Sequence, residues 1–473
     1  MVLRLYTDID KPDIRKTAER LNNNLSIPLD LEKVKGLGSW CTTVLKFLEK
    51  FINIECGKNP DEYINFTGRS NTPNHITNRI LAYYDNASWV NNIVVTSSGG
   101  RTSSIDSMER LKAEAKRRKF SYSILDAVIM HNQLRFILTN NLNQFTNSIN
   151  KGEALYKMKP RINVGDTGRM TTSNPNIQGF VNVVKKCIKA PEGWKIVSMD
   201  ITGQEVHILI FGIMENKAVK EGYIKYKDPY KAFLHLANIP ITPATRKIIK
   251  VPVLATINGM SLAGIKGQLT TKFRELSPEE QEEIERHGGA VQMGTTIYNL
   301  INEDPNYKRL VLDHANKVDT PEGKRRGLFG SEFPVNSKST KNGKMNQLKN
   351  GFFQVTAAEM LSLSIDKLLN MGVQDEIKFL VPIYDEVVLM VKDNDNLEKN
   401  VTLIEDLFKP VVDDWVRFRG TPIVADYYDD GDSNKIITPD DLYQLQLPKV
   451  CKEELNELVK IVNKMDNVNW LWK

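Results

Sequence analysis

Two apolar runs that each meet a carboxylate set the tightest limit on what this chain folds into. Residues 194–199 (WKIVSM) end on Asp200, and residues 379–391 (FLVPIYDEVVLMV) are interrupted by Tyr384, Asp385 and Glu386. Short apolar runs rich in Val and Ile and bounded by polar residues predict strands. The second segment predicts a β-hairpin with acids at its tip. A carboxylate is costly to bury unpaired, so an acid placed there needs a cation partner. Taken singly, each has a structural reading: Asp200 as a cap on the following helix, Asp385 as a turn residue. If the fold brings them together, two acids from distant segments suit a pair of Mg²⁺ ions about 4 Å apart.

Composition excludes more than it selects. The 473 residues are 41% hydrophobic and 26% charged, ordinary for a soluble protein of several domains or one multi-lobed enzyme. No run approaches the roughly 20 apolar residues that span a bilayer. The N-terminus MVLRLYTDIDKPD carries acids where a secretory signal needs an apolar run, so a cytoplasmic protein with no membrane partner is expected. Cys41, Cys56, Cys187 and Cys451 lie far apart with no CxxC spacing, which disfavours a zinc site or a disulfide framework. A net charge of +6 is compatible with a polyanionic partner without naming one.

Helical spacing of apolar residues marks Thr42–Phe51, 104–120, Ile124–Leu142 and Phe352–Leu369. VHILIFGI (206–213) reads as an apolar helix after the first strand. Thr242-Pro243 supplies an N-cap and a first-turn proline for a helix starting near residue 243. Residues 325–349, basic and rich in Gly, Asn and Ser, read as a mobile loop, and a further helix is expected from about Thr438. On the helix from 243, Arg246 and Lys250 stand four residues apart and share a face. Two cations so placed repel unless an anion lies between them. A triphosphate suits the pair, Arg binding as a fork and Lys as a point charge; a solvated basic face is the alternative.

At this point the residues resemble a known family. TGRMTTSNPNIQ (167–178), APEGWKIVSMDITGQEVHILI (190–210), TRKIIKVPVLATINGMSLAG (245–264), QVTAAEM (354–360) and IYDEVVLMV (383–391) resemble, in order, five motifs of family A DNA polymerases, the family of bacterial DNA polymerase I. The resemblance implies an α+β right-hand fold with an antiparallel palm sheet, helical fingers and a helical thumb. It divides the chain into a divergent N-terminal region (1–100), thumb-like helices (101–160), palm (161–215 and 351–437), fingers (216–350) and a C-terminal helical tail (438–473). It implies a DNA-directed DNA polymerase acting on primer-template DNA and dNTPs with two Mg²⁺ ions, Mn²⁺ able to substitute. Replication accessory proteins are candidate partners.

The resemblance also assigns residues. Asp200 and Asp385 would be the metal ligands, with Glu386 in a supporting role on the other strand face. Arg246 and Lys250 would bind the incoming triphosphate, Lys250 also protonating the pyrophosphate leaving group. Tyr230 stands where the family has a histidine near the phosphates. Glu205 matches the glutamate that crowds the ribose 2′ position and so selects deoxynucleotides. Arg169 and Gln354 match positions that reach the duplex minor groove, whose acceptors are common to all base pairs; Asn350, four residues before Gln354 on the same helix face, is expected to join them.

Several positions depart from the family. Leu254 and Asn258 replace motif B aromatics, Pro252 falls inside the helix, where it removes a backbone bond and favours a kink, Tyr384 replaces a histidine, and His207 an arginine. These put fidelity and sugar choice in question and keep open a ribonucleotide-tolerant RNA polymerase or primase, or an inert DNA-binding relative. About 160 residues precede the TGR segment, and the thumb must come from them. A proofreading exonuclease of roughly 150–200 residues is therefore not expected. Size and divergence suggest a phage or mobile-element enzyme.

Overall fold

The computed structural model describes residues 13–23, 25–66, 74–94, 102–145, 157–158, 160–200, 203–383, 386–408, 422–428, 436–462 and 468–472. Tyr384 and Asp385 lie outside the described residues. Along the chain, helices Ile14–Asn22 (α1), Leu31–Glu55 (α2) and Ser123–Phe136 (α3) precede strands Arg161–Val164 (β1), Met170–Ser173 (β2) and Trp194–Asp200 (β3). Helices Gln204–His207 (α4), Lys217–Tyr226 (α5), Pro229–Leu236 (α6), Pro243–Ile257 (α7), Ala290–Glu303 (α8) and Lys341–Asn370 (α9) follow. Strands Ile377–Ile383 (β4), Glu386–Lys392 (β5) and Ile423–Ala425 (β6) and helix Lys449–Val462 (α10) complete the set used below.

The chain divides into two compact units: Met1–Leu25, Pro160–Ser173 and Glu192–Ala425 form the first, and Ser26–Lys159, Asn174–Pro191 and Asp426–Lys473 the second. At the centre of the first is an antiparallel sheet in the order β6-β3-β5-β4. Val197, Met199, Val387, Leu389 and Val391 of its two central strands are fully or almost fully buried and join one continuous core with helices α7, α8 and α9. The fold is thus the α+β architecture expected, with the acid-bearing strands innermost.

Local sequence explains the helix starts. Thr242 caps α7 in a capping box with Thr245, with Pro243 at its first turn. Asp228 caps α6 through the amides of Tyr230 and Lys231, again with a proline in the first turn. Helix α7 runs through Pro252, and the Thr256 hydroxyl donates to the Pro252 carbonyl at 2.6 Å. The apolar run after β3 divides into the short α4 and a π-helical stretch, Ile208–Ile213, rather than one α-helix.

The loop expected over residues 325–349 is a correction. Its last nine residues begin α9, which Thr340 caps on the Gly343 amide. Arg325 and Arg326 pair with Glu332 and Phe333 as a two-residue ladder. Arg325 is buried, donating to the Asp166 carbonyl and to Gln347 Oε1, each at 2.5 Å. Gly, Asn and Ser signalled a loop, Asn and Ser because they compete for backbone groups, but the same property, shared by Thr340, makes such residues helix caps.

The second unit is largely helical. Its α2 extends well beyond the predicted Thr42–Phe51, from an Asp30 cap to Glu55, burying Trp40, Phe47, Leu48 and Phe51. The tail expected as one helix is a short helix, Pro439–Tyr443, then α10 and a final turn, Asn469–Trp472. The Trp40 indole donates to the Ile437 carbonyl at 3.0 Å, and Lys50 pairs with Glu454 at 2.8 Å.

Candidate active site

The β3–β5 register places Asp200 directly opposite Glu386. Residues opposed in an antiparallel ladder present their side chains to the same face, so Asp200, exposed at its strand end, and Glu386, 7% exposed, share one face of the sheet. Asp385 is the residue just before Glu386 in the chain; it lies outside the described residues. The helix after β3 is capped by Gly203, in the left-handed region at φ +67, with no side-chain cap. Asp200 is therefore not the residue at its cap position.

Two ion pairs join sequence-predicted residues to neighbours. Arg169, between β1 and β2, donates from Nη2 to Glu205 Oε1 at 2.8 Å. Arg246 Nε donates to Asp228 Oδ2 at 2.7 Å, while Asp228 Oδ1 accepts the α6 amides. The Arg246 guanidinium also lies 5.3 Å from the centre of the Tyr230 ring. Burial raises the Tyr230 phenol above its ordinary pKa; the Arg246 charge works against this and those of Asp228 and Glu205 add to it. Glu205, Asp228, Tyr230 and Arg246 thus form one electrostatic neighbourhood. Lys250 is exposed one turn along α7 from Arg246.

At the far end of α7, Asn258 accepts a 2.7 Å hydrogen bond from the Asn350 amide of α9. Gly259 follows at φ +76, and a Cβ there would meet Asn346 Cα and its carbonyl oxygen at 3.2 Å. Only glycine fits both the left-handed turn and that close approach. Leu254 is half-buried against the core, and Gln354 is half-buried on α9, one turn beyond Asn350.

Sequence reasoning missed Asp228 and Glu359. The Asp-Pro spacing announces Asp228 as a cap, but its second oxygen's contact with Arg246 is tertiary. Glu359 is fully buried in α9 and accepts the Phe329 amide at 3.0 Å and the Ser331 amide at 2.6 Å. Glu359→Ala should cost about 2–4 kcal/mol, since it strands two buried donors; a denaturant midpoint within error of the parent would refute this.

The first unit thus presents strand-end carboxylates, Asp200 and Glu386, on its central sheet, and Arg246 and Lys250 one turn apart on α7. The fold is similar to that of the POL domain of Pol1 from M. smegmatis, solved in complex with DNA primer-template and dNTP: TM-score 0.66, 15% identity, covering 88% of this chain and 69% of that chain. The family model for DNA polymerase family A matches residues 80–413, and the chain belongs to that family. It is a DNA-directed DNA polymerase. No curated protein compared with the chain matches it.

Proposed function

We propose that the chain adds dNTPs to a primer 3′ end on a DNA template by two-metal-ion nucleotidyl transfer, without proofreading by this chain. The observation that carries the reading is the Asp200–Glu386 register, which brings the end of the Asp200 strand beside the start of the strand that directly follows Asp385 in the chain. Their hard oxygen donors suit Mg²⁺, and Mn²⁺ as a substitute. In this reading Asp200 and Asp385 hold the metal, with Glu386 supporting. When bound, divalent ions lower the pKa of the primer hydroxyl and neutralise charge on the leaving pyrophosphate.

The chain's own groups divide the remaining work. Arg246, its Nε held by Asp228, keeps its two terminal nitrogens for phosphate oxygens, and Lys250 adds a second cation and a proton for the pyrophosphate. Tyr230, beneath the Arg246 guanidinium, helps fix its plane. Arg169, Asn350 and Gln354 contact the duplex minor groove, with Leu254 and Asn258 beside the nascent pair. Residues 161–215 and 351–437 act as palm and 216–350 as fingers.

Primer extension with Mg²⁺, dNTPs or rNTPs tests the reading. Extension with dNTPs, and no shortening of a 3′-mismatched primer, is expected. Efficient rNTP use would move the chain to a ribonucleotide polymerase. Glu205 is held by Arg169, and a fixed side chain excludes a 2′-hydroxyl better than a mobile one. Glu205→Ala should therefore lower dNTP-over-rNTP selectivity by about 10²-fold; unchanged selectivity would remove Glu205 as the sugar gate.

A further inference from the structure

Within the second unit, a cavity of about 720 Å³ lies between α2, the 60–63 segment and α10. That size is in the range of small-molecule sites. The residues that form it, from Ser39 to Tyr63 and from Glu454 to Val468, all fall outside the 80–413 span of the family match. It is therefore no part of the polymerase machinery described above.

Its wall includes the apolar side chains Trp40, Phe47, Leu458 and Val468, all buried. Other lining residues are acceptors. Asn53 is 1% exposed and lines the cavity, and its amide nitrogen is consumed by the Pro60 and Glu62 carbonyls at 2.9 and 2.7 Å. Those two bonds fix the amide's orientation and leave Oδ1 a buried acceptor with no donor among the described residues. Such an atom costs about 1–3 kcal/mol unless a ligand or water supplies the donor.

Carboxylates surround it. Glu49, one turn earlier on α2, shares its face with Asn53 and, among the described residues, meets His131 Nε2 at 3.1 Å. His131 is itself buried, which lowers its pKa, and the Glu49 carboxylate works against that shift. Asp61 lies on the segment that the Asn53 amide tethers, and no ion pair engages it among the described residues. The other lining acids have cation partners: Glu62 with Arg79 at 2.7 Å, Glu454 with Lys50 at 2.8 Å, Glu457 with Lys460 at 2.7 Å. Lys46 is the remaining lining cation and lies exposed at the rim.

We propose that this cavity is a binding site for a small primary organic ammonium with an apolar body. The three N–H groups of an ammonium match the three acceptors Asn53 Oδ1, Glu49 and Asp61. The apolar body lies against Trp40, Phe47 and Leu458. The lining holds more carboxylates than lysines, so an anion would be repelled and a neutral isostere would lose the attraction.

The test is a ¹⁹F NMR titration of the full chain with 4-fluorophenethylammonium, beside the neutral 4-fluorophenethyl alcohol and the anionic 4-fluorophenylacetate. Saturable binding of the ammonium at or below about 1 mM is expected, with the alcohol at least about tenfold weaker and the anion not bound. Thr43→Trp, which fills the cavity from an exposed α2 position, should abolish binding without altering the melting temperature. Glu49→Gln should weaken it by about tenfold. Equal binding of the alcohol, or binding that survives Thr43→Trp, overturns the proposal, as does no saturation by about 10 mM.

Discussion

Asp200→Ala is expected to lower the primer-extension rate by at least about 10³-fold, equivalent to about 4 kcal/mol of transition-state stabilisation. The side chain is exposed at the end of β3, and the ladder to β5 is made by the backbone. Removing it should leave stability within about 0.5 kcal/mol, as at other exposed positions. Melting temperature and primer-template affinity are therefore expected to match the parent while single-turnover extension collapses. That separation is the diagnostic, because an acid with a purely structural role would move the melting curve and spare the chemistry. Retention of more than roughly a tenth of the parent rate would remove Asp200 from the metal site.

Arg246→Ala should lower kcat/KM for dNTPs by about 10²–10³-fold while primer-template binding stays unchanged. Two charge-assisted hydrogen bonds to phosphate, each worth about 1.5–3 kcal/mol, account for a loss of that order. Because Asp228 caps α6 through Oδ1 and meets Arg246 through Oδ2, losing Arg246 spares the cap. Arg246→Lys should fall between the two, since it keeps a charge but not the fork that meets Asp228 and phosphate at once. Steady-state kinetics with varied dNTP decide the matter: an unaltered kcat/KM in Arg246→Ala would return this helix face to a solvated surface.

Much of the fold was legible along the chain. The strand ending at Asp200, the hairpin strands around 384–386, and the Thr242-Pro243 start of α7 all follow from short-range pattern and capping chemistry. The reading failed where one residue type serves two roles. The Asn, Ser and Gly that marked residues 325–349 as a loop include the Thr340-capped start of α9, and Arg325 there is buried rather than solvated. The length of α2 was underestimated because Gly36, Gly38 and Ser39 interrupt its apolar spacing, and packing overrides that weak propensity.

The strands, the helix starts and the family follow from local pattern and motif order along the chain. The sequence also supplied the chemical types needed at the site: strand-end acids, and paired cations one turn apart. The partners are set by packing. The opposition of Asp200 and Glu386 depends on a register between segments nearly two hundred residues apart. The pairings Arg169–Glu205, Arg246–Asp228 and Asn258–Asn350 depend on how hairpin and helices pack on one core. Side-chain pairing energies are small beside the burial that sets those positions, so no local rule in the sequence announces them.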